Sequence, residues 1–327
     1  MNQTPFSVSE LYAPIVEELL ASMNLTVTEV YRNGPRYWVG KVVRNREAAV
    51  LKVVIDDSPW VEPETREEFR PSDQLQVEIL ASVELKRYAR EVSGNVPKAL
   101  AFSFAPAPWM VRTFQMGQGM ARGGSPLLFR SEFYTEAITE SVIAYILSYQ
   151  KLTPELQVKL PAGRHSAAAS LAAKLKAIDL DSPSDLLAPF AAAIRDFVLP
   201  HTELHDRNRN TLSHGQVFPP HIYWHKNRIG LIDWENAGIN NHLQDFVAIW
   251  IRSFSEPAWQ DEYIERLVRH GVLATEEDRM LWRTEVLLQS GGNLNYLFWS
   301  TNESPSDQAL AIAGMRRQIE EVLAKTL

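Results

Sequence analysis

Residues 214–233 constrain the fold more than any other stretch of the chain. Ile222-Tyr223-Trp224 and Ile229-Gly230-Leu231-Ile232 are short apolar runs, separated by the polar segment His225-Lys226-Asn227-Arg228. Two strand-length runs joined by a short polar turn read as a β-hairpin. A hairpin brings its ends together, so residue 216 and Asp233 are expected to approach one another. Ahead of it lies His214-Gly215-Gln216-Val217-Phe218-Pro219-Pro220-His221. A glutamine, two histidines and an aspartate are thus gathered around one loop.

At 327 residues the chain suits two lobes or domains rather than one small core. Hydrophobic residues make up 45% and charged residues 22%, an ordinary soluble balance. The net charge of −7 argues against a nucleic-acid binder, which would usually show a basic stripe. With 0 cysteines, disulfides, thiolate nucleophiles and Cys-ligated metals are ruled out. Met1-Asn2-Gln3-Thr4-Pro5 does not open a signal peptide, and no apolar run approaches the ~20 residues of a membrane span. The expected location is the cytoplasm, with no membrane partner.

Along the chain, Ser7-Val8-Ser9-Glu10 is a capping-box pattern ahead of a helix carrying Leu11, Ile15, Val16, Leu19, Leu20 and Met23. Strands are expected over 37–43 and 49–55, and a loop over 57–73. A helix over 73–91 presents Leu75, Ile79, Leu80, Val83 and Leu85 on one side. Trp109-Met110-Val111 reads as a further strand. Gly117, Gly119, Gly123 and Gly124 cluster in the next stretch, a natural boundary between lobes. Beyond it helices are expected near 131–151, 166–178, 184–205, 243–254, 258–270, 275–298 and 305–326.

Lys52 stands between Val50 and Val54 on one face of an apolar strand. Burying an unpaired ammonium is costly, so it needs a carboxylate or a route to solvent. Glu78 lies mid-helix and faces inward, with Glu84 as the alternative partner. Two weaker constellations also stand out. His221 and His225 share a strand face near Asp233 and Glu235, a pattern more often of surface histidines than of a transition-metal site. His201-Thr202-Glu203-Leu204-His205 places two histidines four apart, but no glutamate follows the first, so the zinc-protease pattern fails. It reads as a helix C-terminus with solvated charge. The run Asn295-Tyr296-Leu297-Phe298-Trp299 is either a packed helix or an apolar patch for a protein partner.

The chain resembles the aminoglycoside phosphotransferase and choline kinase-like family, whose members have a protein-kinase-like fold. The family's hinge "PFLVMEYLPG" matches Pro108-Trp109-Met110-Val111-Arg112-Thr113-Phe114-Gln115-Met116-Gly117. Its catalytic loop "HGDLHPGNIL" matches residues 214–223, and its metal segment "VIDWEDAGIGDPAYDL" matches the stretch from Leu231-Ile232-Asp233-Trp234-Glu235 to Asp245-Phe246. The resemblance implies an α+β, two-lobed fold. A small antiparallel-sheet lobe over 1–112 would precede a larger, mostly helical lobe over 113–327. It implies nucleotide contacts from Lys52, Glu78, Arg112, Thr113 and Phe114, with ATP and Mg2+ as cofactors. His214 and Gly215 would shape the catalytic loop, Trp234 and Asp245 would steady it, and Asp233 would be the main metal ligand.

The departures bear on activity. Gln216 stands where the family has its catalytic aspartate, and a glutamine amide cannot accept a proton at neutral pH. His221 stands where the family has a magnesium-binding asparagine, and imidazole suits softer metals. Asn241 replaces a third aspartate of the pattern. The segment 31–37, in the place of the phosphate-covering hairpin, holds one glycine, Gly34. The expectation is a pseudokinase that binds a nucleotide or small molecule without efficient phosphoryl transfer. The alternatives are an active kinase of a hydroxylated small molecule, with Gln216 positioning the hydroxyl and Asp233 holding magnesium, and a nucleotidyl transferase on the same scaffold.

Overall fold

The computed structural model describes residues 13–34, 36–61, 68–105, 107–123, 125, 127–157, 170–299 and 304–324; the capping-box segment 7–10 lies outside them. The chain adopts the expected α+β architecture: a small antiparallel-sheet lobe followed by a larger, mostly helical one.

Five strands form the first sheet: β1 (Thr26–Asn33), β2 (Tyr37–Arg44), β3 (Glu47–Val54), β6 (Ala99–Ser103) and β7 (Trp109–Thr113). They are arranged in the order β1-β2-β3-β7-β6, and every pairing is antiparallel. Side chains alternate across a strand. Leu51 and Val53 of β3 therefore join Val16, Trp38, Val42 and Val111 in a core against helix α1 (Ala13–Ser22). Val54 points the other way, joining Tyr37 and Met110 against Leu75 and Ile79 of helix α2 (Pro71–Arg87). Lys52, two residues before Val54, shares that second face. Strand parity thus aims its ammonium at α2.

Three departures from the expected elements have local causes. Strand β1 carries Thr26, Thr28, Glu29, Arg32 and Asn33, an edge strand with little apolar periodicity to mark it. Strand β6 is the opposite edge and is interrupted by a register shift between Ala99 and Ala101, which blurs its alternation. Within the expected loop 57–73, β4 (Trp60–Val61) pairs with β5 (Glu68–Phe69), and α2 begins at Pro71 rather than Asp73. Proline suits that first turn because its missing N–H would have no helical partner there.

The second lobe contains β8 (Gln118–Gly119), α3 (Glu136–Gln150), α4 (Thr153–Gln157), α5 (Leu171–Ala177), α6 (Ala191–Val198) and α7 (Thr202–Arg207). Strands β9 (Thr211–Ser213), β10 (Ile222–His225), β11 (Arg228–Leu231) and β12 (Gly238–Asn240) follow. Helices α8 (Gln244–Ile251), α9 (Pro257–Arg269), α10 (Glu276–Trp299) and α11 (Pro305–Ala324) complete it. The helix expected over 184–205 is broken into α6 and α7 by a single 3-10 turn at Leu199–His201. Pro200 lacks the N–H that a continuous helix needs, and Pro189 disfavours helical backbone at Ala188. In the 295–299 run Leu297 is buried and Tyr296 packs against the core, while Phe298 stays exposed.

The hairpin β10–β11 forms in the register Ile222↔Leu231 to His225↔Arg228. It is held at two further places, one within the second lobe and one across to the first. Strand β8, just past the hinge, pairs with β10 through Tyr223↔Gly119 and Trp224↔Gln118. Asn95, between α2 and β6, bridges to Gly230 and donates its N–H to the Ile229 carbonyl at 2.6 Å. Among the described residues no helix is long and apolar enough to cross a membrane.

Candidate functional site

The loop after β9 is held from beneath by one carboxylate. Asp245, in the first turn of α8, accepts from Ser213 Oγ (2.8 Å), His214 N (2.7 Å), Gly215 N (3.1 Å) and Tyr149 Oη (2.6 Å). Burial pushes its carboxyl upward, and these four donors act against that by stabilising the anion. Gly215 has φ +83°, and a Cβ there would meet the Asn236 carbonyl at 2.3 Å. Both the backbone conformation and the space demand glycine.

His214 is fully buried against Trp234, with ring centroids 4.5 Å apart. Its Nε2 lies 3.0 Å from the Ile232 carbonyl, and its Nδ1 accepts from Gln216 N at 3.3 Å. A carbonyl only accepts, so the proton sits on Nε2 and the ring is neutral. Burial first, then the nearby His221, depresses this histidine from 6.5 to about 3. The unfolded chain takes up that proton near 6.5, so below that value the unfolded state binds more protons. The resulting stability is present above about pH 6.5 and is lost as the pH falls toward 3. From neutral pH to pH 5 this group is expected to account for a loss of about 2 kcal/mol. Urea denaturation at both pH values checks it, because His214→Gln should show a correspondingly shallower decline than the parent.

Lys52 lies at the centre of the site. Its Nζ donates to Glu78 Oε2 (2.8 Å), Asp233 Oδ1 (3.0 Å) and Glu235 Oε2 (2.7 Å). Glu84, the alternative partner, instead pairs with Arg87. Asp233 has left-handed backbone (φ 66°, ψ 59°), a conformation that aspartate tolerates better than most residues. The kink ends the β11 segment and opens a single 3-10 turn, Trp234–Asn236. Trp234 goes into the core, while Asp233 and Glu235 both reach Lys52. Burial alone would lower Lys52, but the three carboxylates outweigh it and hold the ammonium well above its usual range. Burial likewise opposes Asp233, yet Lys52 and His221 hold its carboxyl well below the ordinary range. Glu235 goes up, through burial and then the Asp233 charge. Glu235 joins the site as a third carboxylate, and its signal in the sequence is an acidic residue two places after Asp233.

Glu78, Asp233 and Glu235 each bring an oxygen within 4.8 Å of the others, a grouping able to hold a cation. The Lys52 ammonium already bonds to all three. His221 donates from Nδ1 to the Gln216 carbonyl at 2.9 Å, leaving Nε2 3.5 Å from Asp233 Oδ2. Both oxygens of Asp233 therefore face nitrogen atoms of the protein. Magnesium takes oxygen ligands in near-octahedral array and is poorly served by imidazole. This donor set does not fit the two-ligand magnesium arrangement implied by the resemblance.

A cavity of about 330 Å³ opens from this cluster between the lobes. Val39 and Val50 line it from the sheet, Tyr223 and Ile232 from the second lobe, and Phe114 and Gln115 from the hinge. Lys52, Glu78 and Asp233 lie along it, together with Arg112, Tyr31 and Arg32. Of the five expected nucleotide contacts, Lys52, Glu78, Arg112 and Phe114 line the cavity. Thr113 does not: its hydroxyl accepts from Lys98 N at 2.9 Å.

A second buried polar cluster corrects the reading of His201–His205. His205 is not solvated but 0% exposed, with Nε2 2.9 Å from Glu285 Oε1 and Nδ1 3.0 Å from Asp206 Oδ1. Glu285 is equally buried and also accepts from Lys174 Nζ, from Asn241 Nδ2 at 2.6 Å and from Gln289 Nε2 at 3.2 Å. An aspartate at position 241 would set a second carboxylate against Glu285, whereas the amide of Asn241 donates to it. Burial opposes Glu285, but Lys174 and His205 outweigh it and hold the carboxyl well below the usual range.

A family model described as "Phosphotransferase enzyme family" matches residues 32–282. No curated protein sequence matches the chain. Among solved structures, a thermostable mutant of aminoglycoside phosphotransferase APH(4)-Ia in ternary complex with ADP and hygromycin B superposes with a TM-score of 0.63. It is 13% identical, with 95% of this chain and 99% of that one covered. The GDP complex of wild-type aminoglycoside 2'-phosphotransferase-IIIa gives 0.59 at 14% identity, covering 96% and 98%. The apoenzyme of macrolide 2'-phosphotransferase MphH from Brachybacterium faecium gives 0.59 at 13%, covering 92% and 96%. These likenesses show a shared protein-kinase-like fold, and the family match spans well over half of the sequence. The chain belongs to the phosphotransferase enzyme family.

Proposed function

We propose that the protein binds a nucleotide in the interlobe cavity and transfers its phosphoryl group inefficiently. The observation that carries this reading is a mismatch within one site. The Lys52–Glu78 pair stands beside the cavity at 2.8 Å, while the catalytic loop presents Gln216 and His221. An ammonium beside the cavity suits phosphate oxygens. An amide in the place of a general base cannot take a hydroxyl proton, a deficit of roughly 100- to 10,000-fold. Phosphoryl transfer depends mainly on positioning and charge neutralisation, so a residual rate is compatible with this site. Small hydroxylated molecules, including antibiotics of the kinds named for the relatives, are the acceptors to screen.

The test pairs calorimetric titration with nucleotide hydrolysis. Nucleotide binding is expected with little dependence on magnesium, and hydrolysis near background. Replacing Gln216→Asp and His221→Asn together is expected to raise hydrolysis at least ~100-fold. Fast wild-type turnover that collapses in Asp233→Ala would instead identify a working kinase. Label passing to an acceptor from the α- rather than the γ-phosphate would identify nucleotidyl transfer. Absence of nucleotide binding would leave a scaffold that holds protein partners.

A further inference from the structure

Arg112 gives the inner wall of the cavity a chemistry that its apolar neighbours lack. It lies on β7, paired with Val50 on one side and Ala99 on the other. Its side chain is 10% exposed and lines the cavity, with Nε 3.5 Å from Glu78 Oε1. That Nε is buried and makes no hydrogen bond. The other oxygen of Glu78 is taken by Lys52 at 2.8 Å. A guanidinium offers five N–H donors and no acceptor, so a ligand edge reaching it must present lone pairs.

The remaining walls say what kind of ligand has such an edge. Val39 and Val50 come from the sheet, and Tyr223 and Ile232 come from the opposite lobe. Two apolar or aromatic surfaces facing one another favour a flat ring between them. Phosphates, in turn, are matched by the Lys52 end of the cavity. Building on the reading that this cavity takes a nucleotide, we propose that Arg112 makes it select guanine over adenine nucleotides. Guanine presents two acceptors, O6 and N7, along one edge, and arginine pairs with both at once. Adenine presents N7 beside its N6 amino group, which sets donor against donor. The fork geometry of the guanidinium makes this a two-bond discrimination.

Calorimetric titration of the full-length protein with GDP, ADP and IDP tests the assignment, because diphosphates leave turnover out of the measurement. GDP is expected to bind roughly 10- to 100-fold more tightly than ADP. IDP, which keeps O6 and N7 but lacks the 2-amino group, is expected to bind like GDP. Arg112→Met should weaken GDP and IDP far more than ADP, so that the preference is lost. Equal affinities for GDP and ADP, IDP behaving like ADP, or a preference that survives Arg112→Met would each overturn the proposal while leaving nucleotide binding intact. If none of the three binds, the nucleotide reading itself fails and this one with it. The IDP comparison uses only the wild-type chain, so it decides the matter even if Arg112→Met does not fold.

Discussion

Replacing Lys52 with methionine is expected to lower the unfolding free energy by about 3–5 kcal/mol at neutral pH, the range for removing one partner of a buried ion pair. The loss is large because one ammonium serves Glu78, Asp233 and Glu235, all within 3.0 Å. Without it three carboxylates face each other, with the Arg112 guanidinium near Glu78 and the His221 ring near Asp233. Like charges at such spacing raise each other's proton affinity. A carboxyl whose folded-state value exceeds its unfolded value gains protons on folding, so its penalty shrinks as the pH falls. The deficit of Lys52→Met should therefore be largest near neutral pH and clearly smaller near pH 5. Urea denaturation of variant and parent at both pH values reads this directly. A deficit that does not change with pH would show that lost packing, not unpaired charge, sets the cost.

Glu285→Ala is expected to cost a comparable 3–5 kcal/mol, and it tests the other buried cluster. Lys174, His205, Asn241 and Gln289 all donate to this one carboxylate. Lys174 keeps amide oxygens from Gln244 and Asn240, at 2.7 Å and 3.2 Å, but no carboxylate. Burial already lowers Lys174, and losing Glu285 removes the main influence acting against that. A second substitution, Lys174→Met, should therefore recover part of the loss. Thermal or urea unfolding of the two single variants and the double variant closes the cycle. Simple additivity would show that the pair carries no coupling energy.

The parts of this protein legible in its sequence are those that local chemistry dictates. Gly215 is required by a left-handed turn and a carbonyl 2.3 Å from where its Cβ would be. The hairpin ending in Asp233 was marked by its polar turn, and the face of Lys52 by strand parity. Glu78 was found because a buried ammonium requires a carboxylate and the next helix offered one facing inward. What stayed hidden depends on contacts between distant segments. Nothing near His205 in the sequence points to Glu285, which lies 80 positions further along the chain. Nothing near Asn241 explains the lost aspartate until Glu285 is seen beside it. Strands β1 and β6 escaped notice for a different reason: an edge strand buries less, and the alternation that marks a strand fades with it. The role of Arg112 as a donor surface also emerges only when the cavity wall is assembled.

The packing of α2 against both lobes has a mechanical consequence. Leu75 and Ile79 of α2 pack under the sheet, while Val77, Ala81 and Leu85 of the same helix join the core of the helical lobe. The Asn95–Gly230 bridge, just past that helix, adds a further tie between the lobes. Lys52 lies on the sheet, Glu78 on the shared helix, and Asp233 and Glu235 at the end of the hairpin. The three bonds of Lys52 thus clasp three separately anchored pieces, sheet, helix and loop, at one point.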